Sequence, residues 1–163
     1  MKILNSVDGF TLIEILVTIS LGLIVTVSGM AYYSNFNRRQ MVEQSAKKIV
    51  SDLRLAQNLA LTQEKPDQES CACDFLNGYS VNFNFPEKSY QIAVDCNPAC
   101  EESVIFKEAV LENVTLSGLQ SVKFLVLTQG VQTSGGDTLT ISSDNFSYSK
   151  EVVIGGAGNI KIN

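Results

Sequence analysis

Residues 9–14 read Gly9-Phe10-Thr11-Leu12-Ile13-Glu14 and open an apolar run, Phe10 to Tyr33, in which Glu14 is the only charged side chain. The twenty-four residues of this run, at about 1.5 Å of rise each, reach roughly 36 Å, against about 30 Å for the hydrocarbon core of a bilayer. The run reads as one transmembrane helix. A cleaved secretory signal would instead need a basic start, an apolar core of about 7–15 residues and a small-residue cleavage site. Here the apolar stretch is too long, and Ser28, Gly29 and Ala31 lead into Tyr32 and Tyr33, which suit an interfacial aromatic belt. A charge in such a helix costs about 2.5–3.5 kcal/mol near the bilayer centre on insertion scales, so Glu14 calls for a partner.

Beyond the run the pattern stays helical and becomes amphipathic, because Val42, Ala46, Ile49, Val50, Leu53, Ala56 and Ala60 recur at three- and four-residue spacing. The opposite face holds Arg39, Gln40, Glu43, Lys47, Lys48, Asp52 and Arg54, a mixed set that reads as solvated. No proline occurs before Pro66, so one nearly continuous helix is expected from Thr11 to Gln63, roughly 80 Å long. Gly22 and Gly29 within the span are either close-approach points for neighbouring helices or flexible spots.

After Pro66 the period changes to two. Tyr79 to Phe85 alternates, Pro86-Glu87-Lys88-Ser89 reads as a turn, and Tyr90 to Cys96 alternates again, which predicts a hairpin with a four-residue loop. Further strands are expected at Val104 to Val110, Ser121 to Leu127, Thr138 to Ser142, Tyr148 to Ile154 and Asn159 to Ile162. Turn residues at Asn113, Gly118, Gly130, Gly135-Gly136, Asp144-Asn145 and Gly155-Gly156 punctuate them. The fold class is therefore α+β, a long N-terminal helix packed on an antiparallel sheet domain.

The 163-residue chain has room for one modest globular domain after the apolar run, and its net charge of -5 argues against a nonspecific nucleic-acid binder. It has no histidine, the commonest general base and metal ligand. Asp95, Glu101 and Glu102 read as a solvated acidic edge, and Gly155-Gly156-Ala157-Gly158 as a glycine-rich turn, since no helix follows it to cradle a phosphate. No catalytic constellation emerges, so the chain is not read as an enzyme and no cofactor is expected.

The segment from Gly9 to Glu14, with the apolar run behind it, resembles the class III signal of type IV pilins and type II secretion pseudopilins. The resemblance implies that a membrane prepilin peptidase cuts between Gly9 and Phe10 and N-methylates Phe10, so that residues 1–9 are a cytoplasmic leader and Glu14 is the fifth residue of the mature chain. The new amine of Phe10 then lies one helical turn from Glu14. In a packed bundle it can meet the Glu14 carboxylate of a neighbouring subunit, a pairing that penalises subunits out of register. The leader carries only Lys2 as a basic side chain, offset by Asp8, so orientation rests on the cleavage motif more than on charge. Arg38, Arg39, Lys47 and Lys48 then fall on the exported side.

The segments Val122 to Gly130, Gly135 to Ser142 and Val152 to Ile160 resemble the C-terminal strands of the GspH/FimT family of minor pseudopilins and minor pilins. In that family the final turn commonly reads Gly-Arg, and a second basic residue is linked to DNA binding in some members. Here Gly158 is kept, Asn159 replaces the arginine, and Lys161 is the only basic residue of the set, a weak ligand-contact candidate. DNA is accordingly not an expected partner. The expected organisation is leader 1–9, transmembrane and filament-core helix 10–33, amphipathic helix 34–64 and antiparallel β domain 65–163. The expected function is a minor pilin or pseudopilin of a type II secretion pseudopilus or a type IV pilus. Its expected partners are the prepilin peptidase/N-methyltransferase, other pilins or pseudopilins and the inner-membrane assembly platform. The alternative is a filament-tip module that binds DNA or a surface ligand.

Four cysteines, Cys71, Cys73, Cys96 and Cys100, flank the expected hairpin. On the exported side disulfides are expected, and the nested connectivity, Cys71 with Cys100 and Cys73 with Cys96, best fits an antiparallel ladder. A four-thiolate zinc site is the alternative, with less usual ligand gaps; free thiols are the third state.

Overall fold

The computed structural model describes residues 9–65, 73–97, 104–128, 130–144 and 146–163. Helix α1 runs Leu12–Thr62. Thr11 caps its start, accepting the Glu14 N–H at its side-chain Oγ1 (3.3 Å) and at its carbonyl oxygen (3.1 Å). At the other end Gln63 takes a left-handed φ of 55° and the Glu64 N–H reaches back to the Leu59 carbonyl at 3.3 Å, a Schellman closure built on glutamine where glycine is usual.

The helix contributes to two compact units, one ending at Asn37 and one from Arg38 onward. In the first, large apolar side chains are exposed from Leu12 through Phe36. The hydroxyls of Thr18, Ser20 and Thr26 donate to the carbonyls of Ile15, Leu16 and Gly22 at 2.8–2.9 Å, which satisfies these polar groups within the helix itself.

In the second unit Val42, Ala46, Ile49, Val50, Leu53, Ala56 and Ala60 are all buried, joined by Leu59, so the apolar face that the spacing selects is the one that packs on the strands. Those strands are β1 (Phe75–Asn84), β2 (Ser89–Asn97), β3 (Ile105–Val110), β4 (Val114–Gly118), β5 (Ser121–Leu125), β6 (Val131–Ser134), β7 (Thr138–Ser143), β8 (Phe146–Ile154) and β9 (Ile160–Ile162). They form two antiparallel sheets, in the orders β3-β2-β1-β5-β6 and β4-β7-β8-β9. The β1–β2 hairpin has a four-residue loop, 85–88, one residue earlier than the alternation suggests, with Asn84 opposite Ser89. β5 stops at Leu125 because the chain turns into a 3-10 segment, Val126–Thr128, with Leu127 at a φ of 56°. β4 and β6 are strands that the sequence pattern does not single out.

Side chains tie the parts together. Between the sheets, Lys88 in the β1–β2 loop pairs with Asp144 at 2.6 Å, and the Thr115 hydroxyl donates to the same carboxylate. These donors, that of Lys88 first, hold the Asp144 carboxyl below its ordinary range. Asp52 corrects the expectation of a solvated face: it is 4% exposed, and its carboxylate accepts from the Tyr90 hydroxyl at 2.6 Å and from Lys107 Nζ at 2.7 Å. A buried carboxylate is tolerable only with such donors. Asp95 forms an ion pair with Lys123; Glu101 and Glu102 lie outside the described residues.

Candidate processing and assembly segment

Gly9 and Phe10 precede the capped turn, and Phe10 is 78% exposed. A Cβ added at Gly9 meets no atom within 4 Å, and Gly9 has no left-handed φ. The fold of this chain therefore imposes no demand for glycine at position 9, so a requirement for a small residue there would come from an outside partner. Gly22 and Gly29 are equally open.

Thr11 and Glu14 stand in the spacing of a capping box, with Glu14 at the third helical position. The local logic is electrostatic. The start of a helix carries the equivalent of about half a positive charge, so a carboxylate in the first turn is favoured and an added amine is not. A chain beginning at Phe10 would put an ammonium on this positive end, and Glu14 is the one carboxylate in the first turn that offsets it. Reading the sequence alone assigns roles to Gly9, Phe10 and Glu14 and misses Thr11, although the Thr-x-x-Glu spacing is there to be read.

The other candidate residues lie in the second unit. Cys73, ahead of β1, is bonded to Cys96 near the end of β2; Cys71 and Cys100 lie outside the described residues. Lys65 Nζ donates to the carbonyls of Cys73 and Asp74 at 3.0 and 2.9 Å, joining the end of the helix to this bridge. The Tyr79 hydroxyl donates to the Glu64 carbonyl at 2.5 Å, and burial, with Glu64 nearby, raises its pKa. Among the described residues no group of His, Cys, Asp or Glu could hold a metal ion.

Lys161 sits exposed on β9, beyond the turn closed by the Gly158 N–H to the Gly155 carbonyl at 2.7 Å. Gly158 has a φ of 82°, and Gln57 Nε2 on α1 donates to its carbonyl at 3.0 Å. The Asn159 amide folds over Gly155 so closely that a Cβ there would stand 1.9 Å from its Oδ1. Its side chain shapes the turn and leaves Lys161 as the basic group of this strand.

Residues 4–30 match the family model for the prokaryotic N-terminal methylation motif. Comparison with curated proteins and with solved structures returns no match. The motif belongs to chains that a prepilin peptidase processes and that assemble with other pilins, and it points to a structural subunit. The helix behind it is long and apolar enough to cross a membrane. With this motif ahead of a long helix and an antiparallel sheet domain, the chain is similar to type IV pilin-like proteins that carry a class III signal.

Proposed function

We propose that the chain is a minor pilin or pseudopilin of the GspH/FimT kind, in a type II secretion pseudopilus or a type IV pilus. Cleavage falls between Gly9 and Phe10, Phe10 becomes the methylated N-terminus, and Glu14 pairs with the Phe10 amine of a neighbouring subunit. In this reading residues 1–9 are the leader, 10–33 the membrane and filament-core helix, 34–64 its amphipathic continuation and 65–163 the β domain. The assembly platform of the inner membrane receives the precursor, and the β domain is exported. The Cys73–Cys96 bridge supports that side, since disulfides persist in oxidising compartments; a second bridge joins Cys71 to Cys100. DNA is not proposed as a partner, because Asn159 stands where the arginine would be and is turned onto Gly155, and the chain carries a net charge of -5.

The observation that carries the proposal is Glu14, a lone charge in the first turn of an apolar helix and inside the matched motif. Glu14→Val removes a charge from the span, so membrane insertion should be equal or better. The distant β domain should keep its stability. Recruitment into sheared filaments should fall by tenfold or more, roughly the loss of 1.4 kcal/mol. Mass spectrometry of the recruited wild-type chain should show loss of residues 1–9 and one methyl group on Phe10. Full recruitment of the valine variant, or a filament form beginning at Met1, would overturn the proposal.

A further inference from the structure

A subunit that extends an open filament needs two different surfaces, because a contact that uses the same patch on both sides closes into a dimer. The folded unit from Arg38 onward carries two complementary ones, on opposite flanks of α1. At 3.6 residues per turn Lys47 and Arg54 share one stripe of the helix, and Asp52 points roughly 150° away from it.

On the first flank α1 and β9 enclose a recess of about 590 Å³. Its cations are Lys47, Arg54 and Lys161, and its apolar lining is Val50, Ile160 and Ile162. Arg54 and Lys161 form no ion pair among the described residues, while Lys47 reaches Glu43 only at 4.0 Å. On the second flank, where Lys107 grips Asp52, β3 ends its sheet with one edge unpaired among the described residues. Ile105, Phe106 and Val110 of β3 are 45%, 44% and 61% exposed. Glu108 and Glu112 are exposed beside them and form no ion pair among the described residues; Lys48 lines the same flank, and Lys107 is neutralised by Asp52.

We propose that the β3 flank of one copy docks into the α1–β9 recess of a second copy of this chain, joining the folded units head to tail. The inference rests on the reading of the chain as a filament subunit and requires that at least two copies of it adjoin in the filament. Acidic side chains meet basic ones and exposed apolar side chains meet an apolar lining. Two sheet edges, β3 and β9, also bring unpaired backbone groups to the contact. A polyanion such as DNA would use the three cations but has no use for Val50, Ile160 and Ile162. A protein edge uses both.

The test uses the full-length chain with two different tags, co-expressed with the peptidase, and reads contacts both in sheared filaments and in detergent. A photo-crosslinker in place of Val110 should attach to residues 47–54 or 160–163 of the other copy. Reversing the recess (Arg54→Glu with Lys161→Glu) or the edge (Glu108→Lys with Glu112→Lys) should each lower that yield about tenfold. Combining an edge-reversed copy that carries the crosslinker with a recess-reversed copy should restore it, a rescue that misfolding could not produce. An adduct elsewhere, a yield indifferent to the reversals, or a recess reversal that weakens retention of a DNA duplex and leaves the crosslink intact would overturn the proposal. A wild-type chain that is never processed or recruited would instead sink the filament reading, and the adduct in detergent would still decide the docking.

Discussion

Asp52 keeps a carboxylate under the sheet by holding two donors, Tyr90 and Lys107, which come from β2 and β3. Burial, then the hydrogen bond to Asp52 and its charge, raise the Tyr90 pKa far above its ordinary value. Tyr90→Phe leaves one oxygen of a buried carboxylate unpaired and should cost about 1–3 kcal/mol at pH 7, read from the unfolding midpoint in detergent. The folded state holds the phenolic proton more tightly than the unfolded one, so this stabilisation is complete below the unfolded value of about 10 and is lost as pH rises beyond it. The wild type should therefore lose stability above about pH 10, and the phenylalanine variant should show a shallower fall, with Tyr79 and Tyr148, both also raised, keeping some slope. An equal slope in both proteins would count against the Asp52–Tyr90 pairing. Asp52 is misread from sequence because its partners are 38 and 55 residues away, beyond the reach of helical periodicity. Glu14 is legible because its anomaly is local, one charge in an uninterrupted apolar run.

Elements are readable in proportion to their length and period. The apolar stripe of α1 repeats over five turns and is found but for Leu59, and both strands of the β1–β2 hairpin announce themselves by alternation. β4 offers only Val114 and Leu116 between Asn113 and Gly118, and β6 only Val131 in four residues at a sheet edge, too little pattern to separate from loop. The division into two sheets is also hidden, since it depends on pairings such as β1 with β5 and β4 with β7 that skip intervening strands. Two terminal features of elements carry predictions. Gln63 closes α1 in a left-handed conformation that favours glycine, so Gln63→Gly should stabilise the fold by up to about 1 kcal/mol. Gly158 also has a left-handed φ, and a Cβ there would come within 2.7 Å of Gln57 Nε2 and 3.3 Å of Val131 Cγ2. Gly158→Ala should accordingly destabilise by about 1–3 kcal/mol, and a neutral result in thermal unfolding would contradict the tight contact of this turn with α1.

On the scale of the molecule the disulfide closes a separation of 23 residues around the first hairpin. In the chain-entropy account such a loop is worth about 3 kcal/mol, so Cys73→Ser with Cys96→Ser should lower the unfolding midpoint clearly, while reductant should have no further effect on that bridge. An unchanged midpoint would mean that the ties around it already hold the hairpin ends. Those ties have a mechanical consequence. Along α1, Glu43 accepts from Tyr148, Asp52 from Tyr90 and Lys107, Gln57 donates to Gly158, and the Glu64 carbonyl accepts from Tyr79. They are spread over residues 43–64, about six turns' length that runs just past the end of α1, and reach both sheets, so a pull along the axis loads them in parallel as shear. None can be opened first and alone, as the teeth of a zipper can. A pull on this stretch of helix would thus pass tension into both sheets at once, rather than unravel the domain from one end.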